Sequence, residues 1–212
     1  MSTRPPLDGR RLILAAGLSL AMACGGSSPP PPVCSGACSC APPTSQGTGG
    51  TTPASVVSVC SCASGQSCVL GLADGGAASD TELDCPQSNA CEINAGSGSA
   101  GSCGSQSVCN GSCGDGCKYD CANGATCGVD GGPLKLGNGA TFSCSGSNCT
   151  VVAGNNSAVA CESGSSCTLT VGANSAITCQ GGSTCQITCV AGCTVSCGDT
   201  STCNCPGNNC GL

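Results

Sequence analysis

A pair of cysteines with five residues between them recurs eight times in this chain, mostly at a step of 18 residues. The first members are Cys62, Cys85, Cys103, Cys121, Cys144, Cys161, Cys179 and Cys197. The second members are Cys68, Cys91, Cys109, Cys127, Cys149, Cys167, Cys185 and Cys203, the fifth pair being one residue short. A fixed period of this length is the signature of a stacked, quasi-one-dimensional protein. It constrains architecture and leaves activity open.

Side-chain parity supplies the next level. Two positions after each second Cys stand Leu70, Ile93, Gly111, Val129, Val151, Leu169, Ile187 and Cys205. Two positions before each following first Cys stand Leu83, Gly101, Tyr119, Phe142, Val159, Ile177 and Val195. A period of two puts each of these residues on the same side of a strand as its Cys. Each rung therefore reads as strand, turn, strand, turn, with Asn, Gly and Ser at the turns, where they tolerate positive φ or bond to nearby backbone. Eight such rungs predict an all-β, disulfide-stapled β-solenoid whose equivalent residues stack about 4.8 Å apart in columns. Two rungs, from Cys62 to Cys85 and from Cys121 to Cys144, carry 23 residues each. The extra residues are expected as loops around residues 74–79 and 128–134.

Composition explains the cysteines. The chain has 212 residues with 27 Cys and 35 Gly, no His, no Trp, one Tyr and one Phe. It cannot build an ordinary aromatic core, and a slender rod buries little per residue, so it needs covalent staples and an oxidising compartment. Pairing each Cys-x5-Cys across its own turn is favoured. Pairing along a column remains a rival, because stacked Cα atoms about 4.8 Å apart do not forbid it. Three further pairs support local closure. Cys113 with Cys117 and Cys189 with Cys193 flank the opposite turn, and Cys205 with Cys210 brackets a Pro-Gly-Asn-Asn segment at the C-terminal end.

The N-terminus carries an address. Arg4, Arg10 and Arg11 precede an apolar run over residues 12–23 that is too short for a membrane-spanning helix, which needs about 20 apolar residues. Residues 1–23 read as a signal peptide. The run ends Ala21-Met22-Ala23-Cys24, which resembles the lipobox of bacterial lipoproteins and implies lipidation of Cys24. Ala21 stands where that pattern prefers Leu, and a plain signal peptide cut near Ala23 is the alternative. Residues 24–59, rich in Pro, Ser and Gly, read as a disordered tether in which Cys34, Cys38 and Cys40 form a small local disulfide loop. Residues 60–212 read as the solenoid. Removing residues 1–23 takes away every Arg and Asp8, leaving Lys118 and Lys135 against ten acids, a net charge of about −8. Such a surface argues against nucleic acid as a partner.

Chemistry is limited by what is missing. Without His, no Ser-His-Asp or Cys-His arrangement exists. No Gly-rich phosphate loop or clustered calcium-binding Asp repeat is present. The chain reads as a non-enzyme with no cofactor and no metal. It resembles the Cys-rich repeat lipoproteins of β-solenoid type in myxobacteria-like genomes, through the lipobox-like end, the Pro/Ser/Gly spacer and repeats such as Cys161-Glu162-Ser163-Gly164-Ser165-Ser166-Cys167. That group has no established activity. The resemblance implies an exported protein of the outer membrane or cell surface, held by its lipid. Its function reads as a structural or adhesive rod touching surface polysaccharide or other surface proteins. Two alternatives stay open. Cys-x-Cys steps at Cys38, Cys60 and Cys203 resemble those of thiolate metal-binding proteins. Thr168-Leu169-Thr170 resembles the Thr-x-Thr of ice-binding solenoids, although the equivalent positions do not hold a regular Thr array.

Overall fold

Period-two patterning over short runs, with turn residues between them, dictates short strands, and the computed structural model consists of strands of two to six residues. The structure describes residues 32–35, 38–41, 58–63, 67–72, 81–129, 132–207 and 210–211. The signal segment, Cys24 and the loop expected at residues 74–79 lie outside these residues. In chain order the first strands are β1 (Pro32–Ser35), β2 (Cys38–Ala41), β3 (Ser58–Cys62), β4 (Ser67–Leu72), β5 (Thr81–Cys85), β6 (Ala90–Ala95) and β7 (Ala100–Cys103). Then follow β8 (Val108–Cys113), β9 (Lys118–Cys121), β10 (Thr126–Cys127), β11 (Leu134–Leu136), β12 (Thr141–Ser145) and β13 (Asn148–Ala153). The last are β14 (Ala158–Glu162), β15 (Ser166–Val171), β16 (Ala176–Cys179), β17 (Thr184–Cys189), β18 (Cys193–Cys197), β19 (Thr202–Asn204) and β20 (Cys210–Gly211).

These strands form two ten-stranded sheets. The first runs β1-β4-β6-β8-β10-β13-β15-β17-β19, with β11 also pairing β8 and β13; the second runs β2-β3-β5-β7-β9-β12-β14-β16-β18-β20. From β3 onward the chain alternates between the sheets, with β10 and β11 sharing the first, and each strand from β3 and β4 on lies parallel to the equivalent strand one turn on. The described strands make seven turns of a β-solenoid and a shortened eighth. Pairing is in register: Cys149 faces Cys167, which faces Cys185, and Val151, Leu169 and Ile187 align beside them.

The inward columns stack Leu70, Ile93, Val151, Leu169 and Ile187 on one side, and Leu83, Tyr119, Phe142, Val159, Ile177 and Val195 on the other, all buried. Packing within a column is complementary. Gly101 aligns with Tyr119, and a Cβ on Gly101 would lie 2.7 Å from a carbon of the Tyr119 ring. The ring uses the space a side chain on Gly101 would fill. Tyr119 then meets Phe142 with ring centroids 6.2 Å apart.

The structure corrects one inward position and adds a column. Val129 is 48% exposed, whereas Leu134 is fully buried opposite Val151. The long rung loops out between β10 and β11, and the parity count restarts at Leu134, which sequence reading places in the loop. A third inward column runs Ala95, Cys113, Leu136, Ala153, Val171 and Cys189. Within the segment read as tether, β1 and β2 are strands. Both lie antiparallel to the first turn, β1 on β4 and β2 on β3, and they end the two sheets.

The corrected register has a direct test. Leu134→Asp places an unpaired charge in the narrow interior and is expected to cost more than about 3 kcal/mol or block secretion. Val129→Asp is expected to change stability by less than about 0.5 kcal/mol. Urea unfolding of the two variants decides, and equal stabilities would return Val129 to the interior.

Candidate functional site

Three features could carry function: the disulfide ladder, the hydrogen-bonded turns and the outward faces of the two sheets.

Each Cys-x5-Cys begins at the last inward position of a second-sheet strand and ends at the first inward position of the next first-sheet strand. The two Cys thus meet across one tight turn. Disulfides join Cys62 to Cys68, Cys85 to Cys91, Cys103 to Cys109 and Cys121 to Cys127. They also join Cys144 to Cys149, Cys161 to Cys167, Cys179 to Cys185 and Cys197 to Cys203. Cα separations across these bridges run from 6.1 to 6.6 Å, within the range a disulfide spans. The Cys205–Cys210 bridge closes the C-terminal end. Cys113–Cys117 and Cys189–Cys193 close the opposite turn. In that place other rungs have Ala95 with Ser99, Leu136 with Ala140, Ala153 with Ser157 and Val171 with Ser175. The extra bridges therefore replace an ordinary packed pair at a position every rung has.

In-register stacking brings sulfurs of successive turns together. The Sγ atoms of Cys103, Cys121 and Cys127 lie within 4.8 Å of one another, as do those of Cys161, Cys167 and Cys185. All six sulfurs are disulfide-bonded and carry no thiolate, the form that ligates metal.

The turns hold a second ladder that sequence reading missed. Asn89, Ser107, Ser147, Ser165 and Ser183 are buried two residues before the second Cys of their rung, and Ser99, Ser157 and Ser175 are buried at the opposite turn. The signal was available as the same period of two. The Ser107, Ser165 and Ser175 hydroxyls both donate and accept. Ser175 Oγ donates to Gly172 O at 3.0 Å and accepts from the Ser157 amide at 3.2 Å. Ser107 Oγ donates to Pro86 O at 2.6 Å and accepts from the Asn89 amide at 3.1 Å. Ser165 Oγ has Cys144 O at 2.8 Å and Glu162 O as acceptors for its one proton and accepts from the Ser147 amide at 3.5 Å. Outside this ladder, Asp115 Oδ1 accepts from the Asn138 amide, Asn138 Oδ1 from the Asn155 amide and Asn155 Oδ1 from the Ala173 amide, at 2.7, 2.9 and 2.7 Å. The next residue in each of these turns is left-handed: Gly116, Gly139, Asn156 and Asn174 have φ of 66°, 63°, 57° and 56°. That conformation favours Gly and admits Asn at small cost.

The outward faces divide along the rod. Over the last four turns the first sheet shows uncharged columns: Asn148, Ser166, Thr184 and Thr202; then Thr150, Thr168, Gln186 and Asn204; then Val152, Thr170 and Thr188. Gln186, Asn204 and Val152 interrupt the Thr array. Charge collects nearer the N-terminal end. Glu82, Asp84, Asp120 and Lys118 lie on the second sheet, where Ser102 Oγ donates to Asp84 Oδ1. On the first sheet Glu92, Asn94, Asn110, Ser112 and Lys135 line a shallow open groove of about 710 Å³, with Pro133 of the looped-out segment beside it. Asn94 Nδ2 donates to Glu92 Oε1 at 3.2 Å, and Ser112 Oγ donates to Asn94 Oδ1 at 3.1 Å. Asn110 Oδ1 is shielded and has no hydrogen-bond partner among the described residues.

Among the described residues one titratable side chain, that of Tyr119, is buried. The Tyr119 hydroxyl has no partner among the described residues, and desolvation holds it far above its ordinary value. Comparison with protein-family models, with curated proteins and with solved structures finds no match to this chain.

Tyr119 is the only tyrosine and the chain has no Trp, so ultraviolet absorbance reads its ionisation directly. The folded state keeps the phenol neutral while the unfolded chain ionises near pH 10. The stability that the neutral phenol contributes is therefore complete below about pH 10 and is lost as pH rises above it. Tyr119→Phe is expected to hold or raise stability at neutral pH by up to about 1 kcal/mol, because it removes an unpaired hydroxyl. It should also flatten the alkaline loss. A native titration midpoint at the ordinary value would show that the ring is not enclosed.

Proposed function

We propose that this chain is an exported, lipid-anchored surface rod without catalytic activity that makes polar contacts with surface polysaccharide. The observation that carries this reading is the groove of Glu92, Asn94, Asn110, Ser112 and Lys135 on an otherwise flat parallel sheet. Sugars present arrays of hydroxyls, and short amide, hydroxyl and charged groups at fixed spacing on a rigid floor match that chemistry. The lipobox-like Cys24 and the tether supply attachment, and the uncharged columns of the last four turns keep the far end of the rod polar. The absence of His removes the commonest acid–base and nucleophile-activating group, which supports a non-enzymatic role.

Two variants test the two halves separately. Cys24→Ser is expected to abolish acyl labelling and move the protein from the detergent phase to the aqueous phase. Unchanged partitioning would remove the anchor from this reading. Asn94→Ala with Lys135→Ala is expected to lower affinity for the producing cell's own surface polysaccharide about 30-fold, as two lost hydrogen bonds of about 1 kcal/mol each imply. Its melting temperature should be unchanged. Equal retention with intact folding would remove polysaccharide as the partner.

A further inference from the structure

Stacking places the within-turn bridges beside the sulfurs of neighbouring turns. Cys103 Sγ lies within 4.8 Å of both sulfurs of the Cys121–Cys127 bridge. Cys121 Sγ stands within the same distance of both sulfurs of Cys144–Cys149, and Cys185 Sγ of both sulfurs of Cys161–Cys167. All of these cysteines are buried.

Register sorts the neighbours into pairs. On the first sheet each second member from Cys109 to Cys203 aligns with its equivalent one turn on. On the second sheet each first member from Cys103 to Cys197 does the same. Aligned Cα atoms of adjacent strands lie about 4.8 Å apart, inside the separation a disulfide spans. The sulfurs that bridge within a turn are therefore also within bridging reach between turns.

Access to this stack is unequal. Cys197 is exposed and Cys203 half-buried, whereas Cys179 and Cys185, one turn further in, are fully buried. A thiol in solution meets the Cys197–Cys203 bridge and is kept from the bridge beneath it.

We infer that the stacked bridges form a thiol–disulfide relay, in which a thiolate opened at the Cys197–Cys203 bridge passes inward turn by turn and exchanges within-turn bridges for between-turn ones. A small-molecule thiolate attacks Cys197 Sγ. Its sulfur bonds to Cys197, the Cys197–Cys203 bond breaks, and Cys203 leaves as the thiolate. No longer held by its bridge, Cys203 rotates about χ1 to bring its sulfur in line with Cys185. The Cys185–Cys203 bond forms and Cys179 leaves. Cys179 attacks Cys161 and frees Cys167, which attacks Cys149 and frees Cys144. Each step makes one S–S bond and breaks one, so nothing beyond the first thiol is consumed. The leaving sulfur is always at the far end of the opened bridge, so the thiolate changes sheet at every turn. Cys113–Cys117 stands outside the relay, because Cys113 aligns with Ala95 and Leu136. The inference does not rest on the function proposed above, since it uses only register, sulfur spacing and burial.

The test opens one bridge by substitution in the mature protein. Cys109→Ser leaves Cys103 as a lone thiol beside the Cys121–Cys127 bridge. The folded variant is held at about pH 8.5, the ordinary Cys value, then alkylated and mapped by pepsin digestion without reductant. The expected result is a peptide joining Cys103 to Cys121, or to Cys85 on its other side, with the alkylated thiol displaced from Cys103. Alkylation confined to Cys103, with every other bridge within its turn, overturns the inference. Cys117→Ser is the control, and its thiol is expected to stay on Cys113. Equal migration from Cys113 would show unspecific scrambling and also overturns it. Should Cys109→Ser not accumulate, Cys179→Ser leaves Cys185 beside Cys161–Cys167, and a Cys167–Cys185 peptide with the thiol on another cysteine is expected. If neither variant is obtained, wild-type protein treated with limiting β-mercaptoethanol decides: a Cys185–Cys203 peptide supports the relay, and within-turn peptides alone overturn it.

Discussion

In-register parallel pairing between successive turns is the interaction on which the rest of this rod depends. It makes every residue the neighbour of its own equivalent, so one favourable choice is repeated along the axis and one unfavourable choice is repeated as well. Cys stands over Cys and Thr over Thr along the strands, and Ser over Ser and Asn over Asn at the turns, because the chain advances by nearly the same amount each turn. Side chains that stack well on themselves are selected by this geometry. Aliphatic columns gain burial, and the turn columns gain hydrogen bonds that a single turn could not complete. Ser175 needs both its own turn's Gly172 carbonyl and the previous turn's Ser157 amide.

The interior between the sheets is thin, and that explains the division of labour among residue types. Each turn contributes a few aliphatic or aromatic side chains and one disulfide at the Cys turn, so hydrophobic burial per residue is modest. The disulfides restrict the unfolded chain locally and relieve the core of part of the ordering cost. Where a turn has room for a second bridge, Cys113–Cys117 and Cys189–Cys193 use the position that elsewhere holds a small inward pair. Among the described residues no further turn covers the last one, and Cys197 is exposed although its equivalents are buried.

Much of this was legible in the chain because the period-two rule and the 18-residue step operate locally. Leu169, Ile177 and the paired Cys of each rung follow from counting. The count failed at Val129, where extra residues fall inside a strand and the alternation restarts at Leu134. The buried Ser column escaped attention because Ser is common at exposed turns, and only the repeat of its position betrays it. The strands at 32–35 and 38–41 were hidden by their Pro- and Ser-rich setting. Their order comes from pairing with residues at least 18 positions away, which no local pattern reports. The groove was not legible at all, since Glu92, Asn110 and Lys135 come together only through stacking across three turns.

Every Cys-x5-Cys bridge closes within a single turn, which gives the rod an unusual mechanical character. No bridge among these eight fastens one turn to the next; backbone and side-chain hydrogen bonds and the packing of the inward columns do. Tension applied along the axis therefore loads those hydrogen bonds in series and would peel the rod one turn at a time. Each released turn pays out less chain than its length suggests, because the bridge short-circuits a segment whose ends are six positions apart in most rungs. The molecule would behave as a coil with a built-in stop at every rung: stiff while stacked, extensible in equal steps, and able to rewind because each loop keeps its closure.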